Sequence, residues 1–366
     1  MGAAVIFSIV FLLLAITSTV NSCPPGDLAA LLAFKSALKE PYIGIFKSWT
    51  GNKCCENWYG VDCDSKTGRV AEISLRGELE EPMFQKAHHE RYMTGMISPA
   101  ICKLHHLSTI IISEWKGISG NIPACISTLA HLRHLDLVGN KITGELPTDI
   151  GKLQHLNVIN LADNMITGKI PASIVNLTYL VHLDLRNNKI SGEIPRNFGK
   201  LQMLSRALLS NNAITGSIPA SIATMDRLSD LYLSDNQISG AIPDSIGNMS
   251  TLSTLNLDYN IITGTLPGSL LSSEGLNALN LSRNTISGYI PDVFGPRSYF
   301  TSLDLSHNDL KGTIPKSISS ASYIGHLDLS YNHLCGQIPS GSPFDHLEAS
   351  SFTDNTCLCG LPLKKC

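Results

Sequence analysis

The sequence has 366 residues, 43% hydrophobic and 16% charged, with a formal net charge of −3. That near balance excludes the strongly basic surface that a polyanion such as DNA demands, so no nucleic-acid partner is expected. Its ten cysteines fall in three groups, four at each end and Cys102 with Cys125 between, and even-numbered clusters in an exported chain read as disulfides.

Residues 1–22 carry no charged side chain, and the stretch from Val5 to Ala15 is an apolar run of signal-peptide length. Val20 and Ser22 stand where a signal peptidase needs small residues, which makes Cys23 the first mature residue. A membrane anchor is the competing reading; the run is short for a span, and polar residues follow it at once. No later stretch reaches the roughly 20 apolar residues of a spanning helix, so no transmembrane anchor is expected after cleavage. The destination implied is secretion, to the extracellular space or cell wall.

Four segments follow: a signal peptide at 1–22, an N-terminal cysteine cap at 23–69, repeats at 70–334 and a C-terminal cysteine cap at 335–366. In the first cap, Asp27 is placed to cap a helix whose Leu28, Leu31, Leu32 and Leu38 share one face. Trp49 and Trp58 then cover the first coil. Pairing Cys23 with Cys54 and Cys55 with Cys63 ties this cap to itself, at roughly 2–4 kcal/mol per bridge.

Val70, Ile73 and Leu75 begin a first coil, interrupted by an inserted loop at 78–92 that contains His88 and His89. A second coil runs through Leu107, Ile110, Ile112, Ile118 and Pro123, with an extra residue near Trp115 and no asparagine at the bend. From there asparagine recurs at 140, 164, 188, 212, 236, 260, 284, 308 and 332, an unbroken 24-residue period. Around each the pattern is L-x-x-L-x-L-x-x-N-x-I-x-G-x-I-P, which resembles the leucine-rich-repeat signature. The L-x-L alternation makes a short strand with leucines inward. Asparagine can offer both a donor and an acceptor to backbone groups of neighbouring coils, so stacked asparagines form a ladder. One coil cannot bury its own leucines, so coils stack, and the terminal ones need caps. At the back, Cys335 pairs with Cys357 and Cys359 with Cys366. Cys102 and Cys125 occupy nearly equivalent positions in consecutive coils and can bridge. Other pairings of the same ten cysteines stay open at this point.

The stretches from Cys54 to Cys63, Leu334 to Pro339 and Cys357 to Gly360 resemble the caps of plant extracellular leucine-rich-repeat proteins. Two groups fit: polygalacturonase-inhibiting proteins and the group named DNA-damage-repair/toleration proteins. Gly68 to Gly77, Phe84 to Ala87 and Ser342 to Ala349 look more like the second. The resemblance implies an α/β solenoid: a right-handed plant-type superhelix of about eleven coils with a concave parallel sheet, disulfide-capped at both ends. The inhibitor group implies a wall-localised binder of fungal pectin-degrading enzymes through the concave face. The other group's name implies DNA-damage toleration, for which the sequence offers an export leader, near-neutral charge and no phosphate-binding loop.

A search for catalytic chemistry finds none expected: His89-Glu90 lacks the second histidine of a zinc-protease motif, and no nucleophile elbow occurs. His134, His182 and His326 recur at one outward strand position but lie coils apart, so they read as surface residues and no metal or cofactor is expected. Asp136, Asn160, Asp184, Asn256, Asn280, Asp304 and Asp328 form an outward row. It reads either as a recognition stripe or as what this repeat commonly writes, and the second is preferred. Only Leu208 and Tyr232 interrupt the row. With Arg186, Arg206 and Asp230 they suggest the centre of an interface, where aromatic and arginine anchors concentrate; the inward Ala207 offers a packing irregularity as the rival explanation. Three glycosylation sequons begin at Asn176, Asn248 and Asn280.

The reading is a non-enzymatic recognition module that binds a protein on its concave face, either a pathogen polygalacturonase or a receptor ectodomain. The alternative is a stress-tolerance protein acting on wall polysaccharide or ice.

Overall fold

The computed structural model describes residues 23–77 and 92–366. The signal-peptide reading, and the inserted loop up to residue 91 with its two histidines, lie outside the described residues.

The L-x-L alternation produces strands such as His134–Asp136, Val158–Asn160 and His182–Asp184, whose middle residues point into the core. Each pairs in parallel with the equivalent segment of the next coil, Leu135 opposite Ile159 and Leu183 opposite Ala207. The result is a twelve-stranded sheet. Eleven parallel coil strands run from Val70–Arg76 to Tyr323–Asp328, and the cap strand Val61–Cys63 closes one end antiparallel. Shorter sheets, parallel except for the edge strand Leu38–Lys39, and single helical turns make up the rest of each coil. This is the disulfide-capped solenoid that the repeat implies.

The asparagine ladder holds the bend. Asn164 donates to the Leu137 carbonyl of the previous coil at 2.9 Å and to Leu161 and Ala162 of its own coil at 3.1 and 3.0 Å. Its Oδ1 accepts from the Ile142 N–H at 2.9 Å. An apolar residue there would strand these buried backbone groups. The ladder extends past the periodic nine. Asn355 makes the same bonds to Leu329 and Leu334, both at 2.9 Å, after an interval of 23 residues. In the second coil Trp115 substitutes for the missing asparagine: its indole N–H donates to the Leu75 carbonyl at 2.9 Å.

The convex flank shows a second period. Gly151, Gly199 and Gly247 alternate with Val175, Ala223 and Leu271 at the same coil position. A Cβ on Gly151 or Gly199 would lie 2.1 or 2.0 Å from the carbonyl oxygen of Ser173 or Ser221 in the following coil. Those serines reach back, Ser173 Oγ to the Thr148 carbonyl and Ser221 Oγ to the Arg196 carbonyl, each at 2.7 Å. Between residues 151 and 271 the coils therefore associate in twos, a 48-residue unit, whereas Gly295, at the same position, has nothing within 4 Å.

At the front, the helix spans Pro25–Ser36 with Pro24 at its N-cap position, and Asp27 makes no capping bond. This corrects the capping role expected of Asp27. The residue lies inside the helix on its buried face with Ala30, Leu31 and Phe34, while Leu32 is exposed and Leu38 belongs to a short strand. A carboxylate buried there needs partners. Asp27 accepts from Arg69 Nε at 2.9 Å, Arg69 Nη2 at 2.7 Å and the Val70 N–H at 3.0 Å, which fastens the helix to the first coil strand. Trp49 and Trp58, both buried, stack with centroids 5.1 Å apart. Disulfides join Cys23–Cys54, Cys55–Cys63, Cys102–Cys125, Cys335–Cys357 and Cys359–Cys366.

Candidate functional site

The outer face of the long sheet carries the Asp/Asn row, and its geometry assigns these side chains a local task. Asp136, Asn160, Asp184, Asn280, Asp304 and Asp328 each accept, through Oδ1, the backbone N–H two residues on, at 2.9–3.4 Å. The bond ends the strand and starts the bend. Most of the row is thus structural.

Leu208 and Tyr232 sit at the same position in adjacent strands, in register with each other and with Asp184. Leucine has no oxygen, and the tyrosine hydroxyl is at the far end of its ring, so neither can close the turn. Leu208 is not the exposed apolar contact expected from its outward position; it is 2% exposed. The strands are only roughly 4.8 Å apart, so side chains at the same position on either side crowd it. In register beside it stand Asp184 and Tyr232, and the Arg186 guanidinium forks onto Asp184 at 3.0 and 2.7 Å. Leu208 is therefore a floor beneath the patch, and Tyr232, half-buried, is its apolar member.

Around this floor the charges are paired. Arg206 lies 3.4 Å from Asp230, with half of its side chain exposed, and Ser229 Oγ donates to Asp230 at 2.9 Å. Arg186 remains 43% exposed over a nearly buried Asp184. His182, in register with Arg206, is half-buried. Burial, helped by Arg206 and Arg186 and opposed by Asp184 and Asp136, holds its imidazole below the ordinary 6.5. The fork geometry leaves each guanidinium with further N–H donors for a partner's carboxylate or carbonyl oxygen. The inward Ala207 is fully buried. His134 and His326 lie on other strands.

Sequence reasoning missed a rim beside this face, at the residue just before each ladder asparagine. Asp163, Asn187 and Asn211 are linked there by side-chain bonds of 2.7 and 2.6 Å. Further along, Arg283 lies over the Tyr259 ring at 4.9 Å, and His307 stacks on Tyr331 at 4.0 Å. The 24-residue recurrence of this position was the available signal. Among the described residues, the one cluster of metal-ligand type is Cys54, Cys55 and Cys63, whose sulfurs are committed to disulfides. Asn176 and Asn248 are exposed on the convex flank, whereas Asn280 is half-buried in its strand.

A long parallel sheet with paired charges and one apolar break on an open face defines a solenoid of the recognition type. The chain is a plant-type leucine-rich-repeat protein: residues 24–64 match the leucine rich repeat N-terminal domain, 91–192 the leucine-rich repeat region, and 227–249 and 250–310 further leucine rich repeats. It is 57% identical over 138 residues to the DNA damage-repair/toleration protein DRT100 of Arabidopsis thaliana, 37% of either chain. It is 34% identical over 116 residues to the polygalacturonase inhibitor of Vitis vinifera, 31% of this chain and 30% of that one. These matches span about a third of the relatives' own length. Among solved structures, a plant ice-binding protein is similar at TM-score 0.69 and 27% identity over 94% of this chain and 98% of that one. The Arabidopsis receptor kinase HAESA, solved with the peptide hormone IDA and the co-receptor SERK1, is similar at 0.68 and 25% over 93% and 62%.

Proposed function

We propose that the chain is an extracellular recognition module that binds a protein partner on the concave face, around Arg186, Arg206, Asp230 and Tyr232 with Leu208 as their floor. One observation carries this reading. Two successive coils give up the turn-closing Asp or Asn for Leu and Tyr, a change that gains the backbone nothing, at the place where two arginines stand half exposed. Aromatic and arginine side chains packed round a desolvated floor are what concentrate binding energy in protein interfaces. Similarity to a polygalacturonase inhibitor makes a fungal endopolygalacturonase the first partner to try, with receptor ectodomains next.

The discriminating variant is Leu208→Asn/Tyr232→Asn, which restores the row used by the other coils. Asparagine at this position can close the turn, as Asn160 and Asn280 do, so its stability should stay within about 1 kcal/mol of the parent. Calorimetric titration against a panel of fungal endopolygalacturonases should give saturable binding that this variant loses. Equal binding by the variant would remove the patch from the proposal. No binding across the panel would reject the inhibitor role.

The likeness to an ice-binding protein along nearly its whole length supports a second reading, action on ice or wall polysaccharide. Inhibition of ice recrystallisation by the purified protein, unchanged in the row-restored variant, would favour it.

A further inference from the structure

The three sequons differ in their surroundings. Asn176 and Asn248 each end a single helical turn on the convex flank, Ala172–Asn176 and Asp244–Asn248, three coils apart. Both are exposed, as are the hydroxyl residues Thr178 and Ser250 two positions on, while the intervening Leu177 and Met249 are buried anchors. Each asparagine borders a polar groove. The groove at Asn176 has a volume of about 700 Å³ and a far wall of Lys200, Gln202, Ser221 and Thr224. That at Asn248 has about 440 Å³ and a far wall of Ser269, Ser272 and Glu274. Asn280 is different: it lies in a strand paired on both sides, and its Oδ1 already holds the Ser282 N–H and hydroxyl at 3.0 and 2.8 Å.

We propose that Asn176 and Asn248 carry N-linked glycans whose first sugars lie in these grooves and brace adjacent coils, and that Asn280 stays bare. The modification rests on the extracellular reading, since the donor, a lipid-diphosphate-linked oligosaccharide, is met in the secretory route. The asparagine Nδ2 forms a bond to C1 of the first sugar as the C1–O bond to phosphate breaks. The lipid diphosphate leaves with that electron pair, and Nδ2 loses one proton to a base. Once attached, the sugar finds hydrogen-bonding walls. Gln202 spends its amide N–H groups on the Gly199 and Thr224 carbonyls at 2.6 and 3.0 Å, which leaves its Oε1 to accept from a sugar hydroxyl. Lys200 adds a donor. Sugar hydroxyls gain partners there, and each such bond contributes modestly in water. The glycans also leave the concave face clear.

The test uses the full chain expressed in plant cells through its own leader. Enzymatic glycan release in heavy-oxygen water followed by mass spectrometry should mark Asn176 and Asn248 and leave Asn280 unmarked, with Thr178→Ser retaining the glycan and Thr178→Ala losing it. Melting of the parent and of Lys200→Ala/Gln202→Ala, each before and after glycan release, then reads the bracing. The substitutions should lower Tm by about 2 °C more when the glycan is present. An equal drop in both states overturns the groove. Bare asparagines at 176 and 248 in secreted, disulfide-bonded protein, or full occupancy at 280, overturn the modification. Intracellular retention with free thiols and an uncut leader overturns the extracellular reading, and the modification with it.

Discussion

The Trp115 indole N–H bonds to the Leu75 carbonyl at 2.9 Å, the contact that Asn164 makes to Leu137 two coils later. A side chain of different shape thus completes the ladder where the repeat carries an extra residue. It also marks a discontinuity, because the Oδ1 of the next rung, Asn140, is buried without a partner among the described residues.

Replacing Trp115 by Phe keeps most of the buried ring and removes the donor. The Leu75 carbonyl is then left unpaired in the interior, which costs about 1–3 kcal/mol. Urea denaturation should show the midpoint falling with an unchanged slope; no fall would mean that water replaces the indole.

Asp27 should couple stability to acid. Burial works to raise its carboxyl, but the hydrogen bonds from Arg69 and the Val70 amide, with the Arg69 charge, outweigh it and hold it below the ordinary 3.8. A carboxyl depressed in the folded state contributes stability above its unfolded value and loses it as pH falls through the folded one. Asp27→Asn should therefore cost about 3 kcal/mol at neutral pH, the low end for a broken buried pair because Arg69 is partly exposed. The gap from the parent should close as denaturation is followed below the ordinary carboxyl range.

His182 carries a linkage in a higher window. Its folded imidazole titrates below 6.5, so the unfolded chain binds the proton first, and stability falls as pH drops from 6.5 towards the folded value. Melting temperatures should decline across that window in the parent and decline less in His182→Gln. An NMR titration of the His182 ring gives the folded value directly, and a value above 6.5 would reverse the sign.

The close approach at Gly199 makes an asymmetric prediction. Gly199→Ala places a Cβ 2.0 Å from the Ser221 carbonyl oxygen and must push two coils apart, at about 1–3 kcal/mol. Ala223→Gly, at the same position of the partner coil, should cost no more than about 1 kcal/mol. Parallel melts of the two variants decide, and equal losses would remove the pairing from the explanation.

The periodic parts of the molecule were legible because the sequence repeats the physics at fixed spacing: inward leucines such as Leu135 and Leu183, and the asparagines from 140 to 332. Long-range partners were not legible in that way. Asp27 finds Arg69 across 42 residues, and nothing local separates that carboxylate from a helix cap. Leu208 stands outward by alternation yet is buried, because exposure depends on the side chains in the strands on either side, here those carrying Asp184 and Tyr232. Asn355 escaped by one residue of spacing. In the Asp/Asn row, the turn bonds separated a structural habit, kept by six of its seven members and not by Asn256, from the two apolar positions that cannot make it.

The coupling of coils along the convex flank sets how such a molecule can change length. Removing one coil would bring two glycine-bearing turns, or two serine-bearing turns, face to face and leave the hydroxyls without their carbonyls. Removing residues in multiples of 48 rejoins like with like. Between residues 151 and 271 the packing module is thus a doublet, and there a gain or loss of coils leaves the convex contacts intact only in even steps.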